Sequence, residues 1–282
     1  MTEQQENTDG VAPSAAYVDI RHALKRELPA MLHAVSVAAS GPANNDLSDL
    51  IHECRKNCRK WRAWLQLLPK SHAYVRRLDR CLRMARLSLG NTRDSAVRLN
   101  LLEKLAADQA APKAVWQRLK TETPGVTGAG EVEALRHFLA LLAPGEDMLD
   151  QLPKPGTALL FEQLLGGYGR TRRRWKTAAA KPSVRALHDW RKKVQQFKYQ
   201  LLFLDPAVQA EPKAGKRLAA LSDRLGDDHD LALLERSLRD RLFPSEVLEA
   251  IDRKRQRLQQ DAFVLGTQLF AHPTPPFRHL TN

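Results

Sequence analysis

Cysteine is scarce in this chain of 282 residues, which contains only Cys54, Cys58 and Cys81. A small, odd number of cysteines argues against a disulfide framework and indicates a reducing compartment. Cys54 and Cys58 are four residues apart, on what would be the apolar face of a helix. We therefore expect buried core thiols there, and a metal site that includes Cys81 is the less favoured alternative.

Long apolar runs are missing as well. No stretch approaches the ~20 apolar residues that are needed to span a bilayer. The segment 1–10 is acidic and polar, without the apolar region of a secretory signal. These absences predict a soluble, cytoplasmic protein with no membrane partner. We expect residues 1–14 to be a disordered tail.

Signals for β-strands are absent too. No stretch alternates apolar and polar residues with the period of two that marks a half-buried strand, so no sheet is expected. Aromatic residues make up 6% of the chain, and Leu, Ala, Arg and Lys dominate, which is typical of helical proteins. The predicted fold class is therefore all-α.

Acidic residues are too few to balance the basic ones. The chain has 32 Asp and Glu against 45 Lys and Arg, which gives a formal net charge of +13. This excess favours a polyanionic partner, and composition alone leaves nucleic acid, an anionic membrane surface and a phosphate polymer as candidates.

Motifs of common catalytic sites are also missing. The sequence has no Walker-type phosphate loop and no G-x-G-x-x-G, H-E-x-x-H or C-x-x-C. We predict no catalytic residue, no metal site and no cofactor.

One pattern is present twice. The first motif, residues 52–62, reads HECRKNCRKWR, and the second motif, residues 188–199, reads HDWRKKVQQFKY. Both open with H-x-x-R-K, and each is followed by a Leu-Gly segment, LGNTRD at 89–94 and LGDDHD at 225–230. The final Asp lies 42 residues after the opening His in both cases. This match predicts an internal duplication that forms two pseudo-symmetric helical bundles.

Each motif predicts an amphipathic helix when it is placed at ~100° per residue. The cationic face of the first comprises His52, Arg55, Lys56 and Arg59, opposite Ile51, Cys54, Cys58, Trp61, Leu65 and Leu68. The cationic face of the second comprises His188, Arg191, Lys192 and Gln195, with Lys198 at its edge, opposite Leu187, Trp190, Val194, Phe197, Leu201 and Leu204. Glu53 and Asp189 are expected to lie off these faces.

These cationic faces have two interpretations. A row of Lys and Arg on one isolated helix is usually a solvated face, and like charges at this spacing repel one another. Two matched faces that each contain a His favour an anion-binding site, because imidazolium nitrogens donate hydrogen bonds to phosphate.

A third basic cluster precedes the second motif. Arg170, Arg173 and Arg174 share one face of a helix expected at 157–180. If this helix is the antiparallel neighbour of the second-motif helix, the two cationic faces lie close together. A solvated face is the alternative.

The acidic segment 227–230 is the densest in the chain. His229 and Asp230 are similar to the metal-binding pair of HD phosphohydrolases, but the corresponding residues of the first half are Arg93 and Asp94. We favour a structural role, in which Asp94 and Asp230 cap the following helix or pair with an Arg of a neighbouring cationic face.

The predicted elements follow the same twofold scheme. We expect a first half at about 15–145, a second half at about 146–271 and an extended tail at 272–282. The predicted helices lie at 15–39, from 46 or 48 to near 69, and at 72–89, 94–108, 131–143, 157–180, from 183 to 204, 212–225, 231–242 and 245–271.

The two motifs and the paired Leu-Gly segments resemble those of the CHAD family, the conserved histidine α-helical domain. The resemblance covers about residues 15–271 and implies an all-helical fold of two pseudo-symmetric bundles packed around a basic central groove. It further implies binding of inorganic polyphosphate and an association with polyphosphate granules. The residues that match the family's motifs are His52, Arg55, Arg59, Arg62, His188, Arg191, Lys192 and Lys198.

This sequence departs from the family's pattern at two positions. Gln195 stands where a basic residue is usual, which would weaken the contact of that half with an anion. Lys198 stands where Arg is commoner, which keeps the charge but loses the bidentate fork of a guanidinium.

We therefore expect the protein to bind polyphosphate without catalysing a reaction. Its expected partners are polyphosphate and other proteins of the granule. One alternative is a nucleic-acid-binding protein. Against it, proteins that stack bases usually expose aromatic residues, whereas the large aromatic residues here mostly fall on apolar faces. These residues are Trp61, Trp64, Trp175, Trp190 and Phe197. The other alternative is a metal-dependent phosphohydrolase. The full set of predicted binding residues is His52, Arg55, Lys56, Arg59, Arg62, Arg170, Arg173, Arg174, His188, Arg191, Lys192 and Lys198.

Overall fold

The computed structural model describes residues 19–41, 47–90, 128–239 and 245–279. This part of the chain is almost entirely helical, which confirms the predicted all-α class. Its eight α-helices are α1 (Ile20–Ser40), α2 (Ser48–Leu65), α3 (Ala73–Ser88), α4 (Gly128–Leu142), α5 (Thr157–Ala180), α6 (Val184–Leu204), α7 (Ala214–Arg239) and α8 (Ser245–Phe270). Short 3-10 helices lie at Ala143–Gln151 and Asp205–Ala207.

Helices α1 to α4 pack against one another together with the 3-10 helix at Ala143–Gln151. Their apolar residues recur at helical spacing, so each helix buries one face. The most completely buried side chains of this group include Leu24, Leu28, Ile51, Trp61, Leu78 and Phe138. The indole of Trp61 donates a hydrogen bond of 2.6 Å to a carboxylate oxygen of Glu27, which satisfies its buried polar atom.

Helices α5 to α8 form a second group, in which α6 contacts both α5 and α7 and α7 packs along α8. The rings of Trp190 and Phe263 stack with their centroids 5.6 Å apart. The hydroxyl of Tyr168 donates to backbone carbonyls at the end of α8 and beyond, including that of His272 at 2.8 Å. These contacts hold the segment after α8 against α5.

The two groups meet where the carboxyl-terminal half of α2 crosses α6. The rings of Trp64 and Phe203 lie 4.6 Å apart, and the indole of Trp64 donates to the carbonyl of Tyr199 at 3.3 Å. The fully buried amide of Gln200 donates to the carbonyl of Ala63 at 3.0 Å. Because both helices carry a motif, this crossing fixes the two cationic faces relative to each other.

Several predicted elements are confirmed. Helix α5 has the expected bounds, α6 ends at Leu204 as expected, and the Ser183 side chain caps α6 by accepting from the Ala186 amide at 3.2 Å. Helix α1 continues through Pro29. The predicted helix at 94–108, the proposed capping by Asp94 and the tail at 1–14 lie outside the described residues. Because residues 91–127 are among these, the internal duplication stays a prediction.

The prediction of two helices at 212–225 and 231–242 is wrong, because α7 is one helix from Ala214 to Arg239. Its apolar face continues through the Leu-Gly segment, with Leu225 and Leu231 buried on either side of Gly226. Asp228 is buried within α7, and its carboxylate accepts a hydrogen bond from Arg255 of α8. Asp230 therefore lies in a helix interior and does not cap a following helix.

The expectation of no sheet is wrong at one place. Val208–Ala210 (β1) pairs antiparallel with Phe277–His279 (β2). Three-residue strands are too short to show an alternation of period two in the sequence. The ladder instead forms because the chain after α8 returns to the 3-10 helix that follows α6. No described helix is long and apolar enough to cross a membrane.

Candidate anion-binding site

A cavity of about 420 Å³ lies where α2, α5 and α6 come together. Its walls contain Arg59, Arg62, Ala63 and Gln66 from the α2 region, Arg86 from α3, Arg174 from α5, and His188, Asp189, Arg191, Lys192, Lys193, Gln195, Gln196 and Tyr199 from α6. We call it the cationic cavity, because seven of its lining residues are Arg or Lys and one is acidic. Such an excess of positive charge in a concave site attracts anions.

On the α2 wall, Arg62 is already held by a carboxylate. Its Nε and Nη2 atoms donate to the two carboxylate oxygens of Asp79 at 2.8 and 3.2 Å. This bidentate pair fixes the guanidinium and ties α2 to α3. The Nε atom of Arg59 donates to the carbonyl of Arg55 at 3.2 Å. Arg86 is half-buried, and desolvation followed by the nearby Arg62 lowers the pKa of its guanidinium.

On the α6 wall, Lys192 and Lys193 differ in their surroundings. The half-exposed ammonium of Lys192 lies 2.6 Å from the Asp189 carboxylate, and this contact lowers the pKa of Asp189. Lys193 is more buried, and its ammonium donates to the side-chain oxygen of Gln196 at 3.0 Å. Burial, followed by neighbouring cations, lowers the pKa of Lys193.

Helix α5 approaches α6 closely because small residues face the contact. The Thr171 hydroxyl lies 2.9 Å from the carbonyl of Gly167 and 3.3 Å from that of Lys193, which places a backbone oxygen of α6 against α5. A Cβ atom at Gly167 would lie 2.7 Å from the side-chain oxygen of Gln200. The absence of a side chain at position 167 therefore allows the packing that brings Arg174 to the cavity.

His188 forms a pair with His229 of α7, whose ring centroid lies 4.4 Å away. Burial, followed by Lys192 and Arg191, lowers the pKa of His188, while Asp189 acts in the opposite direction. Burial and the cations Arg191 and Lys192, together with His188, lower the pKa of His229 to about 4. The imidazole of His229 is therefore neutral at neutral pH, and the same causes favour the neutral form of His188.

Six of the twelve predicted binding residues line the cationic cavity: Arg59, Arg62, Arg174, His188, Arg191 and Lys192. The other six lie outside its lining: His52, Arg55, Lys56, Arg170, Arg173 and Lys198. The cavity thus brings together residues of both motifs and of the third basic cluster.

The structure gives some of the residues outside the cavity other contacts. Arg55 donates to the carbonyl of Leu89 at 2.6 Å, which holds the end of α3. Lys56 pairs with Glu53 at 3.0 Å. The ammonium of Lys198 lies 4.0 Å from a carboxylate oxygen of Asp223.

Glu53 and Asp189 were expected to lie off the cationic faces, but their carboxylates contact lysines of those faces. Each acid pairs with the Lys three residues further along its helix, Glu53 with Lys56 and Asp189 with Lys192. Residues at i and i+3 are neighbours on a helix surface, and long side chains bridge the angle that separates them on a helical projection.

Sequence reasoning missed Arg86, Lys193 and the neutral residues Gln66, Gln196 and Tyr199. Arg86 is one of several arginines on α3, and no pattern in the sequence distinguishes it from the others as a residue of the cavity. Lys193 directly follows the H-x-x-R-K pattern within the second motif, so its place in the motif could have identified it. The approach of α5 then determines which side of α6 is enclosed.

The acidic segment 227–230 serves α7–α8 packing through Asp228. This carboxylate accepts from the Nε atom of Arg255 at 3.1 Å and from the Gln259 amide at 2.8 Å. Arg255 also donates to Glu235 at 2.6 Å. Within the described ranges, no three His, Cys, Asp or Glu side chains are grouped closely enough to hold a metal ion.

The cysteines and most large aromatic residues lie where the apolar faces predicted them. Cys54 and Cys58 are buried, and burial raises the pKa of each thiol to about 12. Trp61, Trp64, Trp190 and Phe197 are buried as well.

Comparisons with known proteins agree with these observations. The family model described as CHAD domain matches residues 22–239. A crystal structure of the CHAD domain from the plant Ricinus communis is similar to this chain, with a TM-score of 0.54 and 21% sequence identity. The match covers 95% of this chain and 100% of the plant domain, and at this identity it shows a shared fold. A search of curated proteins gave no significant match.

Proposed function

From the premise that the chain belongs to the CHAD family, we propose that it binds inorganic polyphosphate in the cationic cavity and does not catalyse a reaction on it. The resemblance of the two motifs to those of polyphosphate-binding members suggests the ligand. The observation that carries the proposal is the cavity itself, where Arg and Lys side chains of both motifs converge beside Arg174.

The chemistry of the cavity suits a phosphate polymer. A flexible chain with regularly spaced negative charges needs a row of cations and little shape recognition. Each charge-assisted contact between an Arg and a phosphate contributes roughly 1.5–3 kcal/mol. Helix α2 has 18 residues, which at 1.5 Å per residue gives a length of ~27 Å, enough to meet several phosphates. Four neutral side chains in the lining, Gln66, Gln195, Gln196 and Tyr199, can donate further hydrogen bonds.

Burial of the aromatic residues favours this ligand over single-stranded nucleic acid. Proteins that bind unpaired bases usually stack them on exposed aromatic side chains. Here Tyr199 is the aromatic residue in the cavity lining, and its ring is half-buried. We therefore treat nucleic acid as a competing polyanion that shares the electrostatic attraction.

Charge reversal on α6 tests the proposal. The variant with Arg191→Glu and Lys192→Glu should keep its helical circular dichroism and lose affinity for long-chain polyphosphate. The matched control changes two exposed lysines at the start of α7, Lys213→Glu and Lys216→Glu, because it alters the net charge equally. Loss of affinity in both variants would show that net charge alone drives binding, and unchanged affinity in both would place the site elsewhere.

Two further assays separate the alternatives. Competition between polyphosphate and single-stranded DNA of equal charge should favour polyphosphate. Incubation with polyphosphate and divalent metal ions should release no orthophosphate, whereas sustained release would support the phosphohydrolase hypothesis.

We also propose that the protein associates with polyphosphate granules in the cytoplasm, where other granule proteins would be its neighbours. A fluorescent fusion should label polyphosphate-rich bodies, and the Arg191→Glu, Lys192→Glu variant should become diffuse.

A further inference from the structure

Lys193 occupies a different environment from the other lysine of the cationic cavity. Lys192 is half-exposed and paired with Asp189 at 2.6 Å. Lys193 is half-buried, and its ammonium donates to the neutral amide oxygen of Gln196 at 3.0 Å. Within the described part of the chain, Lys192 pairs with a carboxylate and Lys193 does not.

The charged groups that act on Lys193 are cations of three segments of the chain. Arg170 and Arg174 belong to α5, Lys70 belongs to the turn after α2, and Lys192 precedes Lys193 on α6. Desolvation first, and these like charges second, lower the pKa of its amine. A larger fraction of Lys193 is therefore neutral at a given pH, and the neutral amine is the nucleophilic form.

We propose that Lys193 is a site of acylation by acyl phosphates, a modification that lowers the affinity of the cavity for polyanions. The surrounding Arg and Lys side chains would hold the phosphate group of the reagent and stabilise the charge that develops on it as it leaves. This inference rests on the proposed role of the cavity as a phosphate site.

The transfer is a simple substitution at an acyl carbon. The lone pair of Lys193 Nζ attacks the carbonyl carbon, a C–N bond forms, and the C–O bond to phosphate breaks with its electron pair leaving on oxygen. The nitrogen loses its proton to water or to the departing phosphate. The products are an amide and inorganic phosphate, with no change in oxidation state. The amide removes one positive charge and adds bulk inside the cavity.

Lys198 provides a matched control on the same helix. It is also half-buried, and burial also lowers the pKa of its amine. It lies outside the cavity lining, however, and Asp223 lies 4.0 Å from its ammonium. If a lowered pKa were sufficient, both lysines would react alike. If collection of the phosphate group matters, Lys193 should react faster.

The experiment treats the full chain with acetyl phosphate and measures acetylation at each lysine by quantitative peptide mass spectrometry. We expect Lys193 to be acetylated several-fold faster than Lys198 and Lys192. With the uncharged reagent N-acetoxysuccinimide this preference should shrink, since no phosphate is held by the cavity. Long-chain polyphosphate in excess should protect Lys193 selectively.

Binding measurements complete the test. Lys193→Gln should weaken polyphosphate binding several-fold as acetylation does, and Lys193→Arg should lose the label. Equal rates at Lys193 and Lys198 with acetyl phosphate would overturn the inference, whether or not polyphosphate binds. Selective labelling of Lys193 in a protein that fails to bind polyphosphate would keep Lys193 as the acylation site, but it would overturn both the proposed function and the effect of acylation on affinity.

Discussion

Asp189 pairs with Lys192 one turn further along α6, with a carboxylate oxygen 2.6 Å from the ammonium. Glu53 and Lys56 form the same i,i+3 pair in the first motif, at 3.0 Å. Among the residues that the structure describes, Asp189 is the one acid in the lining of the cationic cavity. It therefore acts as an internal counter-anion, which a bound phosphate must displace from Lys192 or else tolerate as a neighbouring negative charge.

Asp189→Asn should strengthen polyphosphate binding. The substitution removes a negative charge from the cavity wall and frees the ammonium of Lys192, at the cost of an exposed ion pair that contributes less than ~1 kcal/mol to stability. The gain in affinity should be several-fold at low salt and smaller at high salt, because salt screens exposed charges. Isothermal titration calorimetry at two salt concentrations measures both values.

Glu53→Gln is the control for this prediction. Glu53 makes the matching pair but lies outside the cavity lining, so its removal should change affinity much less. Weaker binding in Asp189→Asn would instead mean that the carboxylate positions Lys192 for the ligand.

Polyphosphate binding should take up protons through His188. Without a ligand, burial and the nearby Lys192 and Arg191 lower the pKa of this imidazole. A bound polyanion favours the imidazolium and raises the pKa, so affinity should fall as pH rises through the pKa of the bound state. Below the free-state pKa the imidazole is charged in both states, and the dependence should flatten.

Calorimetry at pH 6, 7 and 8 in two buffers of different ionisation enthalpy measures this proton uptake. His188→Gln should remove most of it, whereas His52→Gln should not, because His52 lies outside the cavity lining. The same uptake in wild type and His188→Gln would assign the protons to another group, with His229 the first to examine.

Two glycine substitutions should have opposite effects on stability. Gly226 lies inside α7 with open space around its Cβ position, so Gly226→Ala should stabilise the protein by roughly 0.5–1 kcal/mol. Gly167→Ala should destabilise it by about 1–3 kcal/mol, since the new Cβ would displace Gln200 from its bond to Ala63. Urea unfolding gives both values, and loss of stability in Gly226→Ala would show that this segment is not continuous helix.

Arg255 should be essential for the packing of α7 on α8. Both Arg255 and Asp228 are almost fully buried, so Arg255→Met leaves an uncompensated carboxylate and should cost about 3–5 kcal/mol. Adding Asp228→Asn should recover part of this loss, because the buried charge is then removed. Urea unfolding of the single and double variants measures the recovery. Equal stability of the two variants would contradict the argument.

Much of the fold could be predicted because helical periodicity is a local property. The apolar positions of α2, α5 and α6 recur at helical spacing, and Ser183 has the side chain that caps a helix. The continuity of α7 could not be read in this way. Gly226 and the acids after it are typical of a helix end. The helix continues through them here because Arg255, which is distant in sequence, pairs with the buried Asp228.

The candidate site was partly predictable for the same reason. The cationic faces of α2 and α6 follow from spacing within each motif. Which parts of those faces are enclosed depends on tertiary contacts, namely the crossing at Trp64 and Gln200 and the close approach of α5 at Gly167. Lys193 therefore lies in the cavity, whereas Arg55 is directed to the end of α3.

The salt dependence of polyphosphate binding is the most direct test that one polymer chain contacts both motifs in the cationic cavity. If about six cations each neutralise a phosphate, the slope of log affinity against log salt should be near −4, at ~0.7 per phosphate for a single-stranded polyanion. Replacing Arg59 of α2 and Arg191 of α6 by Gln should each reduce this slope by about 0.7, and the double variant by about 1.4. A wild-type slope near −1, or a slope that either substitution leaves unchanged, would contradict the account.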